Sequence, residues 1–207
     1  MRTISPGQAS KAISVHHDML SLMGTRLVLL RHGQSTWNLA GRLQGQTMDV
    51  ELTELGRQQA HCAAKRLAAA MPSATPIFCS DQLRARQTAE IVAAELRSPI
   101  YFDARLREQD LGDMTGKFAS ELAALPTPSG LHISEIRWGG GESVADVYQR
   151  SLDFLADWPA DLELGIVVGH GDSLRILAAA AAGNDHRNVD YSLVLANAEP
   201  LEIVWQP

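Results

Sequence analysis

Residues 27–38 read Leu-Val-Leu-Leu-Arg-His-Gly-Gln-Ser-Thr-Trp-Asn, an apolar run that ends abruptly in an Arg-His-Gly turn. Four branched apolar residues bounded by polar ones suit a strand covered on both faces, and ligands of open α/β sheets gather outside the carboxyl ends of such strands. His32 is therefore expected at the edge of an active site. Its neighbours suit phosphate. Arg31 offers a planar fork of donors, Gly33 lets a ligand approach the backbone closely, and Asn38 adds a neutral side-chain donor.

A second segment repeats the arrangement: Gly165-Ile166-Val167-Val168-Gly169 runs into His170-Gly171, and an apolar helix-like stretch follows from Ser173 to Ala182. Two strands thus deliver two His-Gly turns. The rest of the chain alternates helical and strand signals. Thr53 is expected to cap a helix through Ala70, with Leu55, Ala60, Ala63, Leu67 and Ala70 near one face and Pro72 closing it. A short strand at Ile77-Phe78-Cys79 precedes a helix over about Leu83 to Leu96, and Glu142 to Trp158 carries apolar residues at helical spacing. Tyr191 to Leu195 and Leu201 to Trp205 are expected to form a final strand pair. Between Met114 and Gly141, Pro126, Pro128, Ser129 and Gly130 divide the chain into a helix and a loop of the kind that serves as a lid.

This alternation predicts an α/β fold, a doubly wound three-layer α/β/α sandwich with a mostly parallel central sheet. Residues 26–207 are expected to form one catalytic domain. Residues 1–25 are polar and read as a flexible N-terminal extension, with a helix over about Ser10 to Leu22 as the alternative.

At 207 residues and 45% hydrophobic content, the chain can bury a sizeable core. A net charge of −6 argues against general nucleic-acid or anionic-membrane binding, and no segment reaches the roughly 18 apolar residues of a membrane span. Two cysteines give no disulfide framework, which fits a reducing cytoplasm. The seven histidines include no His-x-x-x-His pair, and Cys62 and Cys79 lack the spacing of a zinc site. The expected partner is a small-molecule phosphate ester, with a homodimer left open.

Between the two His-Gly turns lie Arg84, in Ser-Asp-Gln-Leu-Arg-Ala-Arg-Gln-Thr-Ala, and Glu108, in Leu-Arg-Glu-Gln-Asp-Leu-Gly-Asp-Met-Thr-Gly. On spacing alone Arg86 rivals Arg84, and Asp110 and Asp113 rival Glu108. With these residues in place the chain resembles the histidine phosphatase superfamily, in its phosphoglycerate-mutase-like branch. The matching pieces, in order, are Arg31 to Asn38, Gly41 to Gly45, Leu52 to Gly56, Ser80 to Ala89, Leu106 to Glu108, Gly139 to Ser143 and Gly169 to Gly171. They span about Arg26 to Ala182. The resemblance implies that His32 is the nucleophile that becomes phosphorylated and that Arg31, Arg84 and His170 surround the phosphoryl group. It implies further that Asn38 and the Gly171 amide are supplementary oxygen ligands, that Glu108 protonates the leaving oxygen, and that neither metal nor other cofactor takes part. The same match selects Arg84 over Arg86. Gln44, Arg137 and Trp138 are candidate substrate contacts.

The chemistry suits these residue types independently of the family. A neutral imidazole nitrogen can attack phosphorus and later leave, dividing one hard displacement into two easier ones. Adjacent arginines disfavour the protonated ring and stabilise the oxygens of the transferring group. The attacking nitrogen must be bare, so the other is expected to donate its proton to a backbone carbonyl in the Gly33 turn. His170, if protonated, adds a cationic hydrogen bond, and a carboxyl such as Glu108 can serve as general acid once its pKa is raised. Only about 60 residues separate Glu108 from His170, and no adjacent arginine pair lies between them to grip a phosphoglycerate carboxylate. The reading is a metal-independent phosphomonoesterase acting on a small phosphorylated metabolite through phosphorylated His32. Phosphoglycerate-mutase-type transfer is the enzymic alternative, and a non-catalytic phosphate-ligand-binding regulatory protein is the alternative of another class.

Overall fold

The computed structural model describes residues 24–122 and 127–207. Apart from Gly24 and Thr25, the expected N-terminal extension and its alternative helix lie outside the described residues. Strand β1 (Thr25–Arg31) is followed by a short helix α1 (Thr36–Ala40), α2 (Glu54–Ala70), β2 (Ile77–Cys79), α3 (Leu83–Leu96) and β3 (Ile100–Phe102). After a stretch of 3-10 turns come α4 (Val144–Ala156), β4 (Leu164–Gly169), α5 (Gly171–Ala181) and β5 (Pro200–Trp205). The five strands lie in the order β3-β2-β4-β1-β5, all parallel except β5, which runs antiparallel to β1.

Period-two alternation along the central strands sends side chains into two cores. Val28, Leu30, Ile166 and Val168 face Ala63, Ala64 and Leu67 of α2 and Ala85, Ala89 and Val92 of α3. Leu27, Leu29 and Val167 face Phe154 and Leu155 of α4 and Leu174 and Leu177 of α5. The result is the three-layer α/β/α sandwich with a mostly parallel sheet. Among the described residues, no helix is long and apolar enough to cross a membrane.

The helix boundaries follow their caps. Thr53 accepts the Gly56 amide at 3.0 Å, and the Ser143 hydroxyl accepts the Asp146 amide while the Asp146 carboxylate takes the Ser143 N–H. Two expectations change. Tyr191 to Leu195 is a turn and an irregular stretch, not a strand, and β5 pairs with β1 instead. Its backbone is satisfied by side chains: the Leu193 carbonyl accepts Arg175 Nε at 3.2 Å and the Leu195 carbonyl accepts Arg31 Nη1 at 3.0 Å. Between Met114 and Gly141 the described residues form only 3-10 turns, at Gly112–Met114, Ala119–Glu121, Ile133–Glu135 and Trp138–Gly140, and the expected helix is not among them.

The turn after β1 is pressed against the start of α2. A Cβ on Gly33 would lie 2.3 Å from the Gly56 carbonyl oxygen, and one on Gly56 would lie 2.0 Å from the Gln34 carbonyl oxygen. Thr53 donates to that Gln34 carbonyl from its backbone N–H at 2.9 Å, which fixes the approach. Gly56→Ala is therefore expected to push the His32 turn off the helix, at a cost of about 1–3 kcal/mol for overpacking. Urea denaturation measures it; wild-type stability in that variant would contradict this close backbone contact.

Candidate active site

Three parallel strands end side by side, and each delivers a polar residue to the same sheet edge. Arg31 is in register with Gly169 and Cys79 with Val168, so His32, His170 and Ser80 follow the ends of β1, β4 and β2 directly. The ends are tied together: the His32 amide donates to the Gly169 carbonyl at 3.0 Å and the Ser80 amide to the Val168 carbonyl at 3.0 Å. His32 and His170 meet edge to face with ring centroids 5.1 Å apart.

His32 is almost fully buried. Its Nδ1 lies 2.7 Å from the Gly33 carbonyl, an oxygen that can only accept. The ring proton is thereby held on Nδ1 and Nε2 carries the lone pair. The ring's own backbone is braced, since Asn197 Nδ2 donates to the His32 carbonyl at 2.8 Å and Thr88 Oγ1 accepts the Gly33 amide at 3.1 Å. Burial, then the Arg84 charge, hold the imidazole well below its ordinary range, with the Gly33 hydrogen bond opposing and Arg31 adding to the effect.

Arg84, on the first turn of α3, is completely buried. Among the described residues it meets no carboxylate in a salt bridge and its Nε has no partner; Nη1 donates to the Thr47 carbonyl at 2.8 Å and Nη2 to the Gly45 carbonyl at 3.0 Å. Burial pulls its pKa down to about 10, so it remains a cation at neutral pH. Arg86, its sequence rival, is exposed, lies 3.9 Å from Glu90, and packs over the Phe102 ring. Arg31 spends Nη1 on the Leu195 carbonyl and keeps a buried, unpartnered Nε, and its guanidinium lies against Gly171 at the start of α5.

His170 is held by a residue that the sequence analysis passed over. Ser80 Oγ accepts the Gln82 amide at 3.3 Å and lies 2.9 Å from His170 Nε2. With the hydroxyl proton given to Nε2, the His170 proton stays on Nδ1, which is buried without an acceptor. Burial and the Arg84 charge hold this ring, too, well below its ordinary range, so at neutral pH it donates as a neutral imidazole. Among the described residues, Arg31 Nε, Arg84 Nε and, in this tautomer, His170 Nδ1 are buried donors without an acceptor.

Glu108 sits against the start of α5. Its Oε1 takes the Gln109 amide at 3.0 Å and the Ser173 amide at 3.0 Å, and Oε2 lies 3.4 Å from the Asp172 amide. Burial and the Asp172 carboxylate push its pKa up, against the amides and the Arg84 charge. Gln82 connects this acid to the arginine: its Oε1 accepts the Glu108 amide at 2.8 Å, and its Nε2 donates to the Gly45 and Thr47 carbonyls that also hold Arg84. Asp110 instead caps a turn, accepting the Gly112 amide at 2.9 Å.

Among the remaining candidates, Asn38 Oδ1 takes the Ser35 amide at 3.0 Å, which leaves its NH2 group to donate. Gln44 Oε1 accepts the Ser35 hydroxyl at 2.8 Å, with the same consequence. Gly171 opens α5 and presents a backbone amide there. Trp138 lines a cavity together with Gln109 and Asp172, whose amides contact the Glu108 carboxyl. Arg137 does not; it is exposed and pairs with Asp146 at 2.7 Å. Ser80 and Gln82 are fully buried polar residues that sequence reasoning missed, though the signal that marked His32 applied to them: polar residues immediately after an apolar strand.

This arrangement can receive a tetrahedral dianion between two guanidinia, with a bare imidazole nitrogen and a raised carboxyl beside it. It also fixes a pH dependence. Both histidines bind protons more weakly folded than unfolded, so the unfolded chain takes up protons first, near the ordinary value of about 6.5. Stability is therefore expected to fall as pH drops below about 6.5. By nitrogen NMR, His32 is expected to remain the Nδ1–H tautomer at pH 6.5, and Arg84→Met should move its titration upward. A His32 that titrates at or above 6.5 in the wild type would refute this electrostatic account.

Comparison with known proteins agrees with the geometry. Residues 27–207 match the family model of the histidine phosphatase superfamily (branch 1). A glucosyl-3-phosphoglycerate phosphatase from Mycolicibacterium vanbaalenii is 40% identical over 171 residues, covering 76% of this chain and 74% of that protein. A 2,3-bisphosphoglycerate-dependent phosphoglycerate mutase from Methylocella silvestris is 35% identical, covering 75% of this chain and 80% of its own length. Among solved structures, a mycobacterial glucosyl-3-phosphoglycerate phosphatase complexed with VO3 superposes with a TM-score of 0.75 at 34% identity, over 86% of this chain and 90% of the other. The chain belongs to the histidine phosphatase superfamily and is a phosphatase of that superfamily.

Proposed function

We propose that this protein hydrolyses a small phosphate monoester through a phosphohistidine on His32, without a metal ion. One observation carries the reading: the Gly33 carbonyl holds the ring proton on Nδ1 and leaves a bare Nε2 beside two unpaired guanidinia. In the first step Nε2 bonds to phosphorus, the ester P–O bond breaks, and Glu108 gives its proton to the leaving oxygen. In the second step water attacks the phosphohistidine, Glu108 takes a proton from it, and the P–N bond breaks to release phosphate and restore His32. Arg31 and Arg84 supply the positive field and neutral His170 a further donor along the way, with Asn38, Gln44 and the Gly171 amide as further oxygen ligands. That set of fixed charges takes the part a metal ion plays in other phosphatases.

Hydrolysis is favoured over mutase transfer by where the arginines between Glu108 and His170 are engaged. Arg137 pairs with Asp146, and Arg150 pairs with Glu142 at 2.9 Å while donating to the Arg105 and Glu108 carbonyls. Neither is left to hold a substrate carboxylate through the reorientation that a mutase requires. A cytoplasmic setting accompanies this reading, supported by two unbridged cysteines, Cys62 and Cys79.

His32→Ala is expected to abolish turnover, and exhaustive chelation is expected to leave wild-type activity intact. Glu108→Gln should slow hydrolysis of alkyl phosphates about 100-fold or more, since an alkoxide needs the proton, yet affect p-nitrophenyl phosphate far less. The measurement is kcat/KM on both substrates with the fold checked by circular dichroism. Equal losses on the two would remove Glu108 as the proton donor, and activity restored only by a divalent ion would overturn the metal-free mechanism.

A further inference from the structure

A cavity of about 240 Å³ lies next to the residues that hold the Glu108 carboxyl. Gln109 and Asp172 line it, and their backbone amides are two of the donors on that carboxyl. On the reading above Glu108 protonates the bridging oxygen, and this cavity, sharing Gln109 and Asp172 with the Glu108 hydrogen bonds, is space beside it for the organic group on that oxygen. The cavity's volume leaves room for several waters or for a small organic group.

The walls indicate what that group is. The far side is a hydrogen-bonded chain in which Ser134 Oγ, almost fully buried, lies 2.7 Å from His132 Nδ1 and 2.8 Å from His186 Nδ1. The Ser134 amide also donates to His132 Nδ1 at 3.3 Å, which marks that nitrogen as an acceptor. A hydroxyl has one proton, so Ser134 gives it to His132 and accepts from His186 Nδ1–H. The chain therefore leaves His132 with a donor at Nε2 and His186 with an acceptor at Nε2, on residues that line the same cavity. A carboxylate only accepts, whereas a hydroxyl both gives and takes; mixed donors and acceptors match hydroxyls.

The charged groups point the same way. Arg187 pairs with Glu135 at 2.6 Å, and Asp172 pairs with Arg175, so no unpaired cation faces the cavity among the described residues. Asp172, itself paired, offers no attraction to a second anionic group. Trp138 and Tyr191 supply flat apolar surface with a polar tip each, suited to the C–H face of a ring that carries hydroxyls.

We infer that this cavity is the leaving-group subsite, and that it selects an uncharged, hydroxyl-rich alcohol, such as a sugar, over one bearing a carboxylate. The inference rests on the phosphomonoesterase reading, and a substrate panel separates the two. Phosphate release is measured from methyl phosphate, a hexose 6-phosphate, 3-phosphoglycerate and phosphoserine, in the wild type and in Trp138→Ala and Tyr191→Ala. The wild type is expected to prefer the hexose phosphate over both carboxylate substrates by about tenfold or more in kcat/KM. Each variant is expected to lose more on the hexose phosphate than on methyl phosphate, again by about tenfold. Preference for 3-phosphoglycerate or phosphoserine would overturn the subsite assignment and leave the phosphatase reading standing, as would equal losses on hexose and methyl phosphates in both variants. Release from none of the esters would overturn the phosphatase reading itself, and this inference with it.

Discussion

Positive charge buried without a carboxylate partner sets the terms for the rest of this structure. Arg84 is fully enclosed, and it and Arg31 are held by backbone carbonyls, with one guanidinium nitrogen unsatisfied on each. Taking such a cation out of water costs several kcal/mol even after relaxation, and pairing it with Asp or Glu would recover much of that. The fold withholds the pairing. On the proposed mechanism a phosphoryl dianion is the counter-charge the site lacks, and burial, reinforced by the same uncompensated field, keeps both nearby imidazoles neutral. Binding and nucleophile activation come from one arrangement.

Holding that field in place falls to neutral groups. The Gly45 and Thr47 carbonyls are shared between the Arg84 guanidinium and the Gln82 amide, and Gln82 in turn fixes the backbone of Glu108. Ser80 orients His170, the Gly33 carbonyl orients His32, and Thr88 anchors Gly33 while donating to the Arg84 carbonyl at 2.8 Å. Dipoles orient without neutralising, so the charge is preorganised for the transferring group and needs no rearrangement when that group arrives. Glu108, a carboxylate whose charge reaches Arg84, is instead engaged by amides at the start of α5 and pushed toward its neutral form by burial.

Much of this was legible in the chain because it depends on local pattern. An apolar run ending in Arg-His-Gly places His32 at a strand end, and the second run ending at His170 places its partner on the adjacent parallel strand. Residues two apart on a helix point to different sides, so only one of Arg84 and Arg86 could enter the site; the family resemblance selected Arg84, and the structure buries it and exposes Arg86. What failed depends on distant partners. Tyr191 to Leu195 has the composition of a strand, but Arg31 and Arg175 take its carbonyls and Pro200–Trp205 takes the edge of β1. The stretch from Met114 to Gly141 has turn residues at short intervals, so its shape is set by contacts such as Ser134 with His186, 52 positions away. Arg137 looked like a substrate contact beside Trp138, and only the placement of Asp146 reveals its engagement.

The central claim is that a neutral Nε2 of His32, unmasked by the Gly33 carbonyl, carries the phosphoryl group between substrate and water. Rapid quench of the wild type with a ³²P-labelled ester, followed by peptide mapping of the trapped phosphoenzyme, tests it most directly. The account requires acid-labile phosphate on His32, bonded through Nε2, appearing and decaying at rates compatible with turnover. Phosphate released in a single turnover with no label on His32, or label found on another residue, would contradict it.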